Sequence, residues 1–219
     1  QLLAAAGRGK RFLFRSGASL LTALAGLPPQ PVAPEAMAAY VRGARPGAVL
    51  VGSHVSRSTR QLEVLLAEPG VAPVEVDVER IPRDRDRLLE EVSAAAAAAH
   101  QRGETPAIYT SRVEKTFPDQ GARLAFGEAV SALLMDVVRG LPATLGFLVS
   151  KGGITSNDVL STGLALGTAR VVGQILPGCS VVRCPADHPR FPELPVVIFP
   201  GNVGDDQGLA TVYRRLAGK

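Results

Sequence analysis

The sequence predicts an α/β protein: a mainly parallel sheet flanked by helices in a Rossmann-like, three-layer arrangement. Three observations lead there. Short apolar runs of strand length recur at residues 48–51, 107–109 (closed by Thr110), 147–149 and 196–199. Unbroken apolar runs suit strands covered on both faces, as in a parallel sheet. Each run ends in small polar residues and is followed by apolar residues at helical spacing, the alternation of βαβ units. Ligands of such sheets bind outside the carboxyl ends of the strands. The four polar loops, 52–59, 111–115, 150–157 and 201–206, should therefore converge on one rim if their strands are parallel and adjacent.

The elements follow in order. Residues 1–6 read as a helix end stopped at Gly7. Arg11, Phe12, Leu13, Phe14 and Arg15 alternate like a short strand. Residues 16–19 (Ser-Gly-Ala-Ser) read as a turn or cap, and 20–25 as helix. Residues 1–27 thus look like the tail of a preceding domain. Residues 28–46 carry Pro28, Pro29, Pro31, Pro34 and Pro46. Proline fixes φ and disfavours helix in the residue before it. This stretch reads as a linker or extended crossing segment, with a short helical piece at 35–42 and a domain boundary nearby. Residues 47–219 form the main domain. Its loop at 52–59 precedes a helix at 60–66, spaced by Leu62, Leu65 and Leu66. Residues 74–78 alternate strictly, a strand with one wet face. A helix at 88–100 contains a six-alanine run, good helical packing material. A long helix covers 121–140, with Leu124, Phe126, Val130, Leu133, Leu134, Val137 and Val138 at helical spacing. Residues 159–166 are helical, 169–175 strand-like, Pro177-Gly178 a turn, 181–184 an edge strand, and 209–216 the last helix.

Composition excludes several classes. Net charge is +4, but the basic residues do not cluster. In 79–87 they alternate with acids, as on a solvated face rather than a phosphate-binding stripe, so no nucleic-acid partner is expected. Two cysteines, Cys179 and Cys184, point to reduced thiols in a cytoplasmic protein. With only His54, His100 and His188, a metal centre lacks ligands. No apolar run approaches the roughly 20 residues that span a bilayer.

Four loops carry the candidate chemistry. In Ser150-Lys151-Gly152-Gly153-Ile154-Thr155-Ser156, glycines let backbone approach a ligand, and helix-start amides attract anions, phosphate above all. The alternative is an ordinary strand–turn–helix with a good N-cap. The Walker A spacing and the Gly-x-Gly-x-x-Gly fingerprint are both missing. In the first loop, Ser53, Ser56, Ser58 and Thr59 offer hydroxyls and Arg57 and Arg60 offer charge, although a polar βα turn needs no more; His54 reads as orienting or partly exposed. Ser111 and Arg112 are candidates for substrate or phosphate contact, or a surface pair. After the last strand, Gly201 and Gly204 imply a tight turn brought close to something. Asp205 and Asp206 could reach Mg²⁺ through water or cap the final helix.

Taken together, residues 52–62, 150–159, 173–178 (Gly-Gln-Ile-Leu-Pro-Gly) and 200–204 (Pro-Gly-Asn-Val-Gly) resemble the four-carbon acid sugar kinases, ATP-dependent kinases of threonate, erythronate and 3-oxo-tetronate type acids. The resemblance covers residues 8–219. It implies that 47–219 is the C-terminal, nucleotide-binding domain. It implies ATP contacts from Ser53 or Ser56, from Gly152, Gly153, Ile154 and Thr155, and from Gly204; Lys151, the local cation, and Gly201, in the tight turn, join the expected nucleotide site from the reading of the loops themselves. ATP with Mg²⁺ would be the cofactors and the product a 4-phosphate; Asp205, from the loop reading above, is the candidate for a water-mediated metal contact. The acid sugar and the catalytic base belong to the family's N-terminal domain, whose Asp-Asp-x-Thr-Gly-Ala motif does not occur here, so this chain alone is expected to bind nucleotide but to turn over little acid sugar. A homo-oligomer is compatible. Two other readings stay open: an NAD-dependent hydroxyacid dehydrogenase-like domain, and a non-catalytic nucleotide-binding module.

Overall fold

The computed structural model describes residues 1–16, 18–26, 28–112 and 115–219. Gly17 of the expected 16–19 turn, Leu27 at the end of the expected tail, and Val113 and Glu114 of the 111–115 loop lie outside the described residues. The chain begins with α1 (Leu2–Gly7) and α2 (Ala18–Ala25). Between them, residues 11–15 adopt no strand, correcting the reading of their alternation. Phe12 and Phe14 stack on each other at 5.7 Å instead of pairing with a neighbouring strand.

Among the described residues seven strands form one sheet in the order β2-β3-β1-β4-β7-β6-β5. They are β1 (Ala48–Val51), β2 (Val71–Val76), β3 (Thr105–Thr110), β4 (Leu148–Lys151), β5 (Arg170–Leu176), β6 (Cys179–Arg183) and β7 (Pro195–Phe199). The five from β2 to β7 in that order are parallel, with Leu50 aligned on Ile108 and Ser150, and Ser150 on Ile198. β6 and β5 add antiparallel, folded back through the Pro177-Gly178 turn, where Gly178 has φ +82°. The expected edge strand at 181–184 is instead internal: β6 pairs with β7 on one side and β5 on the other. Sequence alternation shows that one face is wetter, not which ladder edges are occupied. β2 starts three residues before the expected 74 because it tolerates Pro73. Its place at the sheet edge leaves the missing N–H without a ladder to break.

Helices cover both faces. α4 (Ile81–Gln101), α5 (Gln120–Gly140) and a π-turn at Val159–Gly163 pack on one face through Leu88, Val92, Ala96, Leu133, Met135, Val138 and Val159. α3 (Ser56–Leu66) and α7 (Gly208–Ala217) cover the other, through Leu62, Leu65, Leu209, Val212 and Leu216. The charged run at 79–87 forms the kinked start of α4. There Arg80 pairs with Asp84 at 2.8 Å and Arg87 with Glu91 at 3.0 Å, the mixed-sign surface that the alternation implied. The proline-rich segment crosses the sheet rather than hanging free. Its 3-10 turn Pro34–Tyr40 buries Met37 completely, Gln30 bonds both ways with Gln174, and Arg42 donates to the carbonyls of Leu145 and Ala143.

One consequence of this topology positions the site. β1 hands the chain to α3 on one face, while its neighbour β4 hands it to α6 (Gly153–Asp158), which continues into the π-turn on the other face. Adjacent strands whose connections leave to opposite faces open a crevice between their carboxyl ends.

Candidate functional site

The loops after β1, β3, β4 and β7 do converge. They line one cleft of about 1410 Å³ together with the N-terminal half of α5. At its floor the loops after β1 and β4 nearly touch. A Cβ on Gly52 would lie 2.4 Å from Thr155 Oγ1, and one on Gly152 would lie 3.3 Å from Ser53 Cβ. Gly152 has φ +123° and ψ +142°, a conformation essentially restricted to glycine. That twist lets the Gly152 N–H donate to Phe199 O at 2.9 Å while its carbonyl receives the Ser156 N–H at 2.9 Å. The helix therefore starts at Gly153, and the N–H groups of Gly153, Ile154 and Thr155 have no acceptor among the described residues. A Cβ at Gly153 would meet nothing, and Ile154 is 80% exposed. The corner is open, lined by amides and carries the partial positive charge of a helix start.

Of the sequence-predicted residues, Ser53, Ser56, Gly152, Gly153, Ile154, Thr155 and Gly201 all line this cleft. Ser56 does so as the first residue of α3, four residues before the expected helix start. Gly204 and Asp205 face a smaller neighbouring depression with Arg57, Arg60, Asp206 and Gln207. Asp205 Oδ1 accepts the Gln207 N–H at 3.1 Å, and Asp206 pairs with Arg60 at 3.0 Å. The carboxylate of Asp205 is thus occupied at the start of α7, the capping alternative, and lies apart from the amide-lined corner.

Lys151 is placed differently from its neighbours. It is the last residue of β4, fully buried on the α3/α7 face. Its ammonium donates to the carbonyls of Pro200 at 2.9 Å and Gly201 at 3.1 Å, 4.5 Å from the centre of the Phe199 ring. Arg112 is also spoken for. It donates to Ser53 O at 2.7 Å and Thr110 O at 2.9 Å, anchoring the first loop instead of presenting charge to a ligand. Burial lowers its pKa, a cost offset by these carbonyl bonds.

Burial brings the Lys151 ammonium from the ordinary 10.5 down to about 8, with nearby Arg57 adding to the effect and Cys179 opposing it. Below pH 8 the lysine is charged in both folded and unfolded chains, so its desolvation cost is fully present. Between 8 and 10.5 the folded chain sheds a proton that the unfolded chain keeps, and stability rises with pH, in total by roughly 3 kcal/mol. The buried thiols act oppositely. Cys179 is pushed up to about 12 and Cys184 to about 11 by burial, so above pH 9 the unfolded chain loses protons that the folded one keeps. Subtracting a Lys151→Met variant isolates the lysine. By urea denaturation, wild type should gain about 2 kcal/mol on the variant between pH 7.5 and 9.5; an unchanged difference would mean that the ammonium is not desolvated.

The opposite wall went unread in the sequence. Phe117, Phe126, Val130 and Leu134 give the cleft an apolar side. Phe117 and Phe126 pack at 5.3 Å, and the Lys115 ammonium sits 4.5 Å from the Phe126 ring while pairing with Glu79 at 2.8 Å. A helical period assigns Phe126 and Val130 to a face but not to an owner, core or ligand. Gly127 was the available signal: glycine weakens a helix interior, and here a Cβ would meet nothing because the position opens into the cleft.

Among the described residues no group of three or more His, Cys, Asp or Glu side chains is placed to hold a metal, and no helix is long and apolar enough to cross a membrane. A family model described as a nucleotide-binding C-terminal domain matches residues 48–209. No curated protein matches the chain. Among solved structures, a domain of unknown function from Bordetella bronchiseptica, a domain-swapped dimer with bound citrate, superposes with a TM-score of 0.61 at 19% identity, covering 79% of this chain and 41% of that one. Another crystal form of it gives 0.54 at 20% identity, covering 79% and 39%. A Salmonella typhimurium LT2 protein provisionally named a tRNA synthase gives 0.55 at 19% identity, covering 81% and 41%. At these identities the likeness shows the fold, and the chain spans about two fifths of the length of each structure. The family match takes in β1, β4, β7 and all four converging loops, and the chain belongs to the family of nucleotide-binding C-terminal domains, the nucleotide-binding part of the four-carbon acid sugar kinase family.

Proposed function

We propose that this chain is the ATP-binding half of a kinase that phosphorylates a four-carbon sugar acid of the threonate, erythronate or 3-oxo-tetronate type on its terminal hydroxyl. One observation carries the reading. A corner of unpaired amides, Gly153 to Thr155, lies at the switch point of a parallel sheet, and an apolar wall faces it across one cleft. A triphosphate needs the first and an adenine the second. The residues fit: the space in front of Gly153 is empty to a Cβ, and the hydroxyls of Ser53, Ser56 and Thr155 border it. ATP would supply the transferred γ-phosphoryl group, with Mg²⁺ neutralising charge between phosphates. The cleft-lining carboxylates suited to hold that ion through water are Asp158, which accepts Ser131 Oγ at 2.5 Å, and Asp119, which caps α5 through the Ala122 N–H at 2.8 Å. They fit this role better than Asp205, whose carboxylate faces the neighbouring depression. Positioning and charge neutralisation are most of what a protein contributes to phosphoryl transfer; the base that takes the hydroxyl proton is assigned to a preceding domain. The domain-swapped dimer of the Bordetella neighbour favours a homodimer here as well.

Calorimetry with Mg²⁺–ATP, ADP and NAD tests the reading. Gly153→Val projects into empty space without backbone strain, so it should weaken ATP binding at least 10-fold, about 1.4 kcal/mol, while leaving the melting temperature within a few degrees. Binding of NAD without ATP would replace the kinase reading with the dehydrogenase one. Turnover of threonate or erythronate by residues 1–219 alone would overturn the assignment of the base elsewhere.

A further inference from the structure

The loop after β7 is held by an unusual set of partners. Six consecutive carbonyls, Pro200 to Asp205, each accept a side-chain bond, four of them from the buried Lys151 and Gln61 and two from Arg57 at the cleft margin. Lys151 takes the first two, at 2.9 and 3.1 Å. Arg57 Nη1 takes Asn202 at 2.8 Å and Gly204 at 3.4 Å. Gln61 Nε2 takes Val203 at 3.1 Å and Asp205 at 2.6 Å. Lys151 and Gln61 are fully buried, and Gly204 supplies the φ of +75° that the path requires. Because a trans peptide sets its N–H opposite its C=O, carbonyls pulled inward leave the amides of the following residues pointing out. Val203 spends its N–H on Pro200 O. Among the described residues, those of Gly201, Asn202, Gly204, Asp205 and Asp206 meet no acceptor.

We propose that Lys151 is a positioning residue for the nucleotide site: its ammonium holds the 200–205 loop with carbonyls in and amides out, so that the loop forms a second anion-receptive edge for the polyphosphate, beside the Gly153–Thr155 corner. A cation bonded to the carbonyl end of a peptide also polarises its N–H, strengthening it as a donor in a low-dielectric setting. Arg112 does for the loop after β1 what Lys151 does for this one, bonding Ser53 O and Val51 O. These two cations act from behind the loops, and the ligand meets backbone. The inference rests on the nucleotide reading above, and its test separates the two.

The test is a titration of the full 219-residue chain with Mg²⁺–ATP, followed by calorimetry and by ¹⁵N-resolved amide signals. In wild type, the Gly201, Asn202 and Gly204 amides should shift on ATP addition along with Gly153 and Ile154. Lys151→Met, which keeps length and removes the donor, should weaken ATP at least 10-fold and abolish the Gly201–Gly204 response while the Gly153 response persists. A role confined to stability would lower the melting temperature and leave affinity and both sets of shifts intact, overturning the inference. If the variant does not fold, wild type decides alone: ATP shifting Gly153 and Ile154 but not the 201–204 amides overturns it. Absence of ATP binding by wild type would instead sink the nucleotide reading itself.

Discussion

Gly152→Val is expected to abolish useful nucleotide binding and to destabilise the fold in the same step. The two effects share one cause. At φ +123° and ψ +142° a β-branched side chain is strained by roughly 1–3 kcal/mol before any contact is counted. Its Cβ would then stand 3.1 Å from Thr155 Oγ1 and 3.3 Å from Ser53 Cβ, wedging apart the two loops that make the cleft floor. Gly152 is also the joint between three elements: its N–H holds Phe199 O at the end of β7, and its carbonyl starts α6 through Ser156. Relieving the strain moves all three. The combined expectation is a loss of about 2–4 kcal/mol of unfolding free energy and a fall in ATP affinity of about 100-fold, near 2.7 kcal/mol. Denaturant titration and calorimetry on the same samples check both numbers. Gly153→Val is the control, since it enters the same cleft from an unstrained position. Equal affinity losses in the two variants would mean that the strained joint contributes nothing beyond bulk.

The difference between these adjacent glycines shows what the sequence could and could not convey. That two glycines after an apolar strand mark a backbone close to something is legible from composition and order. Which one bends the chain and which one leaves room is set by φ, and φ has no one-residue signature. The same limit explains Lys151. Read in sequence, a lysine beside two glycines looks like a phosphate ligand. In the fold, β4 runs through Ser150 and Lys151, and strand alternation sends the lysine to the face under α3 and α7. The strands themselves were legible because both faces of a parallel sheet are buried. The ladder positions of β5 and β6 were not, because pairing partners lie in other parts of the chain. The converging rim was legible in outline, since β3, β1, β4 and β7 did prove adjacent and parallel. Its apolar wall was hidden inside the periodicity of α5, where a cleft face and a core face look alike.

Gly146→Ala should have the largest effect on stability, at a site more than a strand away from the cleft. A Cβ there would lie 2.0 Å from the carbonyl oxygen of Arg45, 2.9 Å from its carbonyl carbon and 3.1 Å from Val41 Cγ1. The first two are backbone atoms, which cannot rotate aside as a side chain can. Nor is the local backbone free to retreat. Gly146 N–H donates to Pro46 O at 2.9 Å, its carbonyl accepts the Arg42 N–H at 3.0 Å, and Arg42 reaches past it to Leu145 O and Ala143 O. One methyl group therefore has to part the crossing segment from the start of β4. With it would go the burial of Met37 beneath that segment. Overpacking that forces backbone apart falls at the upper end of single-substitution effects, about 4 kcal/mol or more. A domain of this size holds only about 5–15 kcal/mol in total. Urea unfolding of Gly146→Ala should show a midpoint greatly reduced or a chain unfolded at 37 °C. Gly103→Ala, a glycine whose Cβ would meet nothing but whose φ is +80°, separates strain from collision and should cost about 1–2 kcal/mol. If the two variants unfold alike, collision between residues 41–46 and 146 is not what secures the crossing segment, and it could be removed without loosening β4. If Gly146→Ala is far worse, the nucleotide-binding unit extends upstream of residue 48 to include that segment.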